Sequence, residues 1–420
     1  MNKNNKIFVQ IASYRDPELG PTIEDCLNKA KNPENLIFGI CWQRDETENL
    51  DKFKDNPNFR IADYHYSQSE GLGWARAITN SLYKDEEYTL QIDSHHRFVD
   101  HWDEIVLEDF NQALEMSKKP VLTTYCTPFD PKKNPDEWEP IPCLMSQYEF
   151  SDDKLLMSMP WYIQDYKSRN KVIKARTISG HFYFASGNFV KEVPYDPDIY
   201  FGGYTEETTL SLRAFTHGYD FFSPYRMVMW HEYTRSYRPK HWEDHGTKSE
   251  TKKTSGERDM YAREKTRQLF GTEDQKIDMG VYGLGKERTV RDYEIYGGFD
   301  FKNCRIQDYT LKVKEPPNPT NWEEQFIRNS YNFTIDWDIE FFKKSNFEKP
   351  KFLTIGILTK SNEEILRKDL LVETNPQQVR LEENSYSLKF ESIDKPSKLV
   401  MYLYDEEKGW SDRFEKTLNI

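Results

Sequence analysis

The run Tyr88-Thr89-Leu90-Gln91-Ile92 leads directly into Asp93-Ser94-His95-His96. An apolar run of strand formers that ends on a carboxylate and imidazoles is a buried strand delivering polar groups at its carboxyl end, which is where open α/β sheets bind ligands. Asp93 and His95 are two positions apart, so an extended backbone carries both side chains on one side. A hard carboxylate oxygen beside an imidazole nitrogen suits a divalent ion such as Mn2+ or Mg2+, with water completing the shell. A second reading makes Asp93 and Ser94 the cap of a following helix, because Trp102, Ile105, Val106 and Phe110 recur at helical spacing just downstream.

Similar units lie on either side. Lys6 to Ala12 is apolar and breaks into Ser13-Tyr14-Arg15-Asp16-Pro17, the kind of polar break found at a strand's ligand-facing end. Thr22 with Asp25 offers a capping box, and Ile23, Cys26, Leu27 and Ala30 fall on one helical face. Leu36 to Trp42 and Phe59 to Tyr66 read as strands, and Trp74, Ala77, Ile78, Ser81 and Leu82 mark a second helix. Strands alternating with helices predict a mainly parallel, doubly wound α/β sheet. Gly71-Leu72-Gly73 lacks the third glycine of a dinucleotide fingerprint and reads as a turn.

Further along, Pro128 to Pro160 lacks periodicity and is expected to be a long lid or surface loop, placed to grip an acceptor. Thr177 to Phe189 is an aromatic strand with Gly180 and Gly187 suited to close backbone approach. Glu206 and Glu207 follow a Gly-Gly turn, where they are either acids in a helix first turn or carboxylates presented to a substrate hydroxyl. Tyr219 to Phe222 and Met227 to Trp230 are short strands, and the second ends on His231. With Asp93 and His95, His231 completes a coordination set.

At 420 residues the chain is longer than one hydrophobic core supports, which is roughly 250 to 300 residues. Lys plus Arg number 58 against 71 Asp plus Glu, a net charge of −13 that argues against a nucleic-acid or anionic-membrane surface. Cys26, Cys41, Cys126, Cys143 and Cys304 show no paired spacing, so reduced thiols are expected rather than a disulfide framework or zinc ribbon. No signal sequence and no apolar run near the ~20 residues of a membrane helix are evident, and a soluble cytoplasmic protein is expected.

The pattern changes after Phe301. Glu315-Pro316-Pro317-Asn318-Pro319 reads as a linker stiffened by proline. Phe333, Ile335, Trp337, Ile339 and Phe341 alternate, as do Tyr386, Leu388 and Phe390, with further strands at Phe352 to Leu358 and Leu399 to Tyr404. This predicts an antiparallel, immunoglobulin-like β-sandwich without an inter-sheet disulfide. The expected division is a catalytic domain over 1–303, a linker over 304–325 and an accessory sandwich over 326–420. Trp410 reads either as core or as an exposed sugar platform.

Several of these stretches resemble glycosyltransferases of the GT-A type, which have a Rossmann-like nucleotide-sugar domain. Gly71 to Leu107 is similar to the arginine-bearing helix and Asp-Ser-His motif of the polypeptide N-acetylgalactosaminyltransferases. IASYRDPEL from Ile11, QIDSHHRF from Gln91, FASGNFV from Phe184, FGGYTEETTLSLRAFTHGYD from Phe201, MWHEY from Met229 and YGLGKERTVRDYEIYGGFDF from Tyr282 more closely resemble the hydroxyproline-polypeptide N-acetylglucosaminyltransferase family, GT60. The resemblance implies a UDP-sugar donor, a divalent metal on Asp93, His95 and His231, and retention of the α configuration. It makes Ser13, Arg15, Arg76 and Arg288 donor-side candidates together with Asp93, and Glu206 and Glu207 the catalytic candidates. The spacing of Gly-Gly-Tyr-Thr-Glu-Glu departs from the Gly-Gly-Glu of the galactosaminyl enzymes. The acceptor expected is a hydroxyl on a protein or glycan. Two other functions fit the same residues: a metal-dependent phosphodiesterase acting on a nucleotide sugar, and a non-catalytic carbohydrate-binding protein on a transferase scaffold.

Overall fold

The computed structural model describes residues 5–133, 141–200, 203–247, 253–326, 328–336, 352–371, 385–405 and 408–418. The chain forms two compact units, 1–306 with 315–318, and 307–314 with 319–420. The segment 304–325, expected as a linker, is therefore divided between the units, and it carries the short helix Asp308–Leu311. Among the described residues no helix is long and apolar enough to cross a membrane.

The first unit contains strands β1 (Ile7–Tyr14), β2 (Leu36–Arg44), β3 (Phe59–His65), β4 (Tyr88–Asp93), β5 (His96–Phe98), β6 (Pro120–Thr123), β7 (Thr127–Pro128), β8 (Cys143–Phe150), β9 (Leu156–Tyr162), β10 (Ile173–Ala175), β11 (Phe182–Ser186), β12 (Asp220–Ser223) and β13 (Met229–His231). Its helices include α1 (Leu19–Lys29), α2 (Asp51–Lys54), α3 (Leu72–Ser81), α4 (Trp102–Leu114), α5 (Asn188–Glu192), α6 (Gly203–Thr216) and α7 (His241–Asp244). Eight strands form one sheet in the order β10-β12-β6-β11-β4-β1-β2-β3. All of β1 is buried, as expected of a strand covered on both faces. Ile7, Val9, Ile11, Phe38, Ile40, Leu90 and Ile92 join Ile23 of α1 and Val106 of α4 in the main core. On the other face Ala75 of α3 packs with Ala12 and Cys41.

The sheet is mixed rather than mainly parallel. β1, β2, β3 and β4 are parallel to one another and β12 is parallel to β6, but β11 lies antiparallel between β4 and β6, and β10 is antiparallel to β12. A parallel return needs a crossover, usually a helix. The chain from β6 instead runs through the hairpin β8–β9 and enters β11 from the sheet's ligand end. Phe182 pairs with Ile92, so the residues just before β11 arrive beside the carboxyl end of β4.

Two local expectations are corrected. The Pro128–Pro160 stretch is not a structureless loop, because Cys143–Phe150 and Leu156–Tyr162 form an antiparallel hairpin. Residues 134–140 of that stretch lie outside the described residues. Thr22 is not a helix cap, since α1 begins at Leu19; its hydroxyl bonds the backbone of Ser94 and His96 instead.

In the second unit Asn329–Asp336 pairs antiparallel with Ser385–Ser392. Phe352–Leu358, Glu364–Leu371, Lys398–Asp405, Gly409–Trp410 and Phe414–Thr417 make a second antiparallel sheet. Ile335, Leu353, Ile355, Ile357, Leu388, Leu399, Met401 and Leu403 share one core, drawn from both sheets. Trp337, Ile339 and Phe341 of the expected alternation lie outside the described residues. Trp410 is 53% exposed and is not core.

Candidate functional site

Two strands meet at the end of β4. A small sheet, β5-β13-β7, pairs His231 with His96, which sets β13 against the residues that follow Asp93. Asp93, His95 and His231 thereby each offer a ligand atom within 4.8 Å of the others. His231 Nε2 is 3.3 Å from Asp93 Oδ2. His95 and His231 are buried, and the Asp93 side chain is 18% exposed. Burial pushes the Asp93 carboxyl up, but the Arg76 guanidinium and the His231 hydrogen bond outweigh it and hold it well below the usual carboxylate range. Burial also depresses His231, His96 and His181, favouring neutral rings.

His95 makes the donor set fit a cation. Its Nδ1 lies 2.8 Å from Asp16 Oδ2. An ionised carboxylate only accepts, so Nδ1 carries the proton and a neutral ring leaves a lone pair on Nε2. That Nε2 is buried with no hydrogen-bond partner, 3.8 Å from Asp93 Oδ2. Two electron-pair donors facing one another fit a metal ion between them. The helix-capping reading of Asp93 and Ser94 fails, because β5 intervenes and α4 starts only at Trp102.

A fully buried arginine links this group to the glutamates. Arg76 donates to the Ile92 carbonyl at 2.8 Å, to the Gly180 carbonyl at 2.9 Å and to Asp93 Oδ1, and its Nε is 3.6 Å from Glu206 Oε1. Glu206 Oε1 accepts from the Tyr195 hydroxyl at 2.9 Å. Glu207 accepts from the Gly180 N–H at 2.9 Å and the Tyr125 hydroxyl at 2.6 Å. Burial raises both carboxyls, Glu206 to about 7 against the pull of Arg76 and Glu207 to about 8. A β-carbon on Gly180 would sit 2.7 Å from Glu206 Oε2, so a side chain there displaces that carboxylate.

One pocket is lined by Asp93, His95, Glu206, Glu207, Gly180 and His181 together with Tyr14, Gln43, Gly71, Leu72, Arg235, Arg238, Lys240, His241 and Trp242. Three of the expected donor-side residues are placed elsewhere. Ser13 alternates with the pocket-lining Ala12 and Tyr14 on β1, so its hydroxyl points the other way, buried and without a partner. Arg15 is engaged by Asp45 and Asp244 and stacks over Tyr66 at 4.4 Å. Arg288 pairs with Asp220 at the start of β12, the end of the sheet opposite the pocket. Arg76 supports the site from beneath rather than lining it.

Sequence reasoning missed Asp16, Tyr125, His181, Tyr195 and the basic residues after His231. The dense Arg235, Arg238 and Lys240 run behind a proposed ligand was a readable signal in an acidic chain. Gly71 and Leu72, read only as a turn, open α3 and line the pocket.

A sequence model of the family described as Glycosyltransferase (GlcNAc) matches residues 6–56 and 49–303. The chain belongs to this glycosyltransferase family. No curated protein sequence matches it. Among solved structures, S. aureus TarS 1-349 in complex with UDP-GlcNAc is 13% identical, over 56% of this chain and 60% of that one, with a TM-score of 0.35. GalNAc-T7 with UDP, GalNAc and Mn2+ is 12% identical, over 99% of this chain and 72% of that one, with a TM-score of 0.43.

Proposed function

We infer that this glycosyltransferase is a metal-dependent, retaining enzyme of the GT-A type that moves N-acetylglucosamine from a UDP-sugar to a hydroxyl of a protein or glycan, in the manner of the GT60 enzymes. The observation that carries the reading is the unpartnered His95 Nε2 facing Asp93 Oδ2 on the floor of a pocket that also holds Glu206. The choice of N-acetylglucosamine rests on the family's description. Free cysteines at Cys26, Cys41, Cys126, Cys143 and Cys304 accord with a cytoplasmic setting. The shared core of the two C-terminal sheets accords with an immunoglobulin-like accessory sandwich.

Asp93, His95 and His231 would hold the ion. A divalent metal such as Mn2+ or Mg2+ there supplies Lewis-acid neutralisation of charge on a departing diphosphate. Arg238 and Lys240 bring positive charge to the same pocket and suit the phosphates. Arg76 keeps the carboxylate of Asp93 ionised and aimed. Both Glu207 oxygens are occupied, by Gly180 and Tyr125, whereas Glu206 keeps Oε2 for the acceptor hydroxyl. Glu206 therefore positions the acceptor and Glu207 positions the loop around Gly180. A front-face transfer, in which the leaving phosphate takes the hydroxyl proton, accounts for a site whose carboxyls are raised by burial.

The test is UDP release from UDP-N-acetylglucosamine, followed by mass spectrometry of candidate acceptors. Asp93→Ala should lower transfer by at least about 100-fold, because several kcal/mol of charge stabilisation go with the metal. A chelator should do the same to the unaltered protein, and proton NMR of the fresh product should show the small anomeric coupling of an α linkage. Full transfer by Asp93→Ala in metal-free buffer rejects the assignment. Acceptor-independent cleavage that yields UMP and sugar 1-phosphate rather than UDP would instead identify a phosphodiesterase.

A further inference from the structure

The residue that decides which way His95 faces lies just past the end of β1, far away in sequence. β1 ends at Tyr14, and Arg15 then adopts φ 44°, in the left-handed region that a branched or long side chain rarely occupies. Two hydrogen bonds from Arg15 to Asp244, two to Asp45 and the Tyr66 ring beneath its guanidinium hold it there. The turn sends Asp16 inward, where its side chain is 0% exposed. Oδ2 accepts from Ser94 Oγ at 2.6 Å and from His95 Nδ1 at 2.8 Å, and lies 3.3 Å from Arg238 Nε. Oδ1 accepts from the Glu18 N–H at 3.0 Å.

We propose that Asp16 is the positioning residue of the metal site: it fixes the His95 ring as the Nδ1–H tautomer and turns Nε2 toward Asp93 and His231. The proposal rests on the metal reading given above. A free imidazole exchanges its proton between two nitrogens and turns about its side-chain bonds, so half or more of its states present the wrong atom to a cation. A carboxylate on Nδ1 removes those states and makes the ring a stronger ligand, an effect that outer carboxylates exert at about 10–100-fold in metal affinity. Because the same oxygen lies 3.3 Å from Nε of the pocket-lining Arg238, the carboxylate also links His95 to that residue. Arg15, expected to touch the donor, acts one step further out by holding the turn that delivers Asp16.

The experiment measures Mn2+ binding by the EPR signal of the free ion, with full-length protein, Asp16→Asn and Asp93→Ala, beside thermal unfolding of each in chelator. Asp16→Asn should bind Mn2+ about 10–100-fold more weakly while its metal-free unfolding stays cooperative. If the unaltered protein binds one Mn2+ that Asp93→Ala loses, yet Asp16→Asn binds as tightly, the role given to Asp16 is wrong and the metal site stands. If the unaltered protein binds no Mn2+ that depends on Asp93, both readings fall. A second measurement does not depend on the variant folding: long-range 1H–15N spectra of metal-free protein, with the His95 resonances identified by their loss in His95→Ala. They should show a protonated Nδ1 and a bare Nε2, and a proton on Nε2 overturns the proposal.

Discussion

Arg76 resolves an electrostatic problem that the site sets for itself. Asp93 and Glu206 are carboxyls in a place where water is scarce, and an unpaired buried charge costs several kcal/mol. The guanidinium answers with a planar fork: Nη1 to the Ile92 carbonyl, Nη2 to the Gly180 carbonyl and Asp93, and Nε toward Glu206. A lysine carries the same charge as a point and cannot reach these partners together. Arg76→Met is therefore expected to destabilise the metal-free protein by about 3–5 kcal/mol in denaturant unfolding. Arg76→Lys should fall between the two, and added Mn2+ should return part of the loss in both by supplying Asp93 with another cation. A variant with methionine at this position that unfolds at the same denaturant concentration as the unaltered protein contradicts the account.

At the scale of elements, the start of α6 places two adjacent acids, Glu206 and Glu207, where burial has lifted both carboxyls, to about 7 and about 8. Glu206 adds a smaller push to the rise of Glu207. In the unfolded chain both ionise in the ordinary carboxylate range, so at intermediate pH the folded state holds protons that the unfolded state has released. Stability should thus be full at acid pH below that range and fall as pH rises toward 8, by on the order of a few kcal/mol. Glu207→Gln, which cannot ionise, should flatten that fall in melting curves taken in chelator between pH 5 and 9; a fall of unchanged steepness would show that Glu207 is not the group responsible. β4, α1 and α4 were legible from apolar spacing, and so was the meeting of Asp93 and His95, because both lie on one short stretch. The direction of β11 was not, since nothing in its composition tells an antiparallel strand from a parallel one. That direction brings Gly180 and His181 to the end of β4, and with Gly180 one of the two anchors of Glu207. Arg15 and Arg288 were likewise indistinguishable from ligand-binding arginines until their carboxylate partners, Asp45, Asp244 and Asp220, came into view.

At the scale of the whole molecule, the boundary after the catalytic fold is not a single cut. The family match ends at residue 303, and the first unit runs to 306, but Glu315–Asn318 returns to it. Glu315 Oε1 accepts from the Lys174 N–H at 2.9 Å on β10, Asn318 Oδ1 accepts from the Arg176 guanidinium at 2.7 Å, and the Asn318 N–H bonds the Tyr296 carbonyl at 3.1 Å. Arg176 is 6% exposed and also donates to the Gly297 carbonyl, so removing Asn318 takes one acceptor away from a buried guanidinium on the edge strand. A chain ending after Ile306 should therefore be less stable than one ending after Asn318, by about 1–3 kcal/mol for the lost partner of a buried charged donor. The chain ending after Asn318 should retain UDP-sugar turnover with a small acceptor or water, because the pocket residues, from Ala12 to Trp242, all precede the cut. Melting temperatures of the two truncated chains, read beside UDP release, check both statements. Equal stability of the two would mean that the returning segment is not part of the catalytic unit's architecture, and a folded, inactive chain ending after Asn318 would mean that the second unit takes part in turnover.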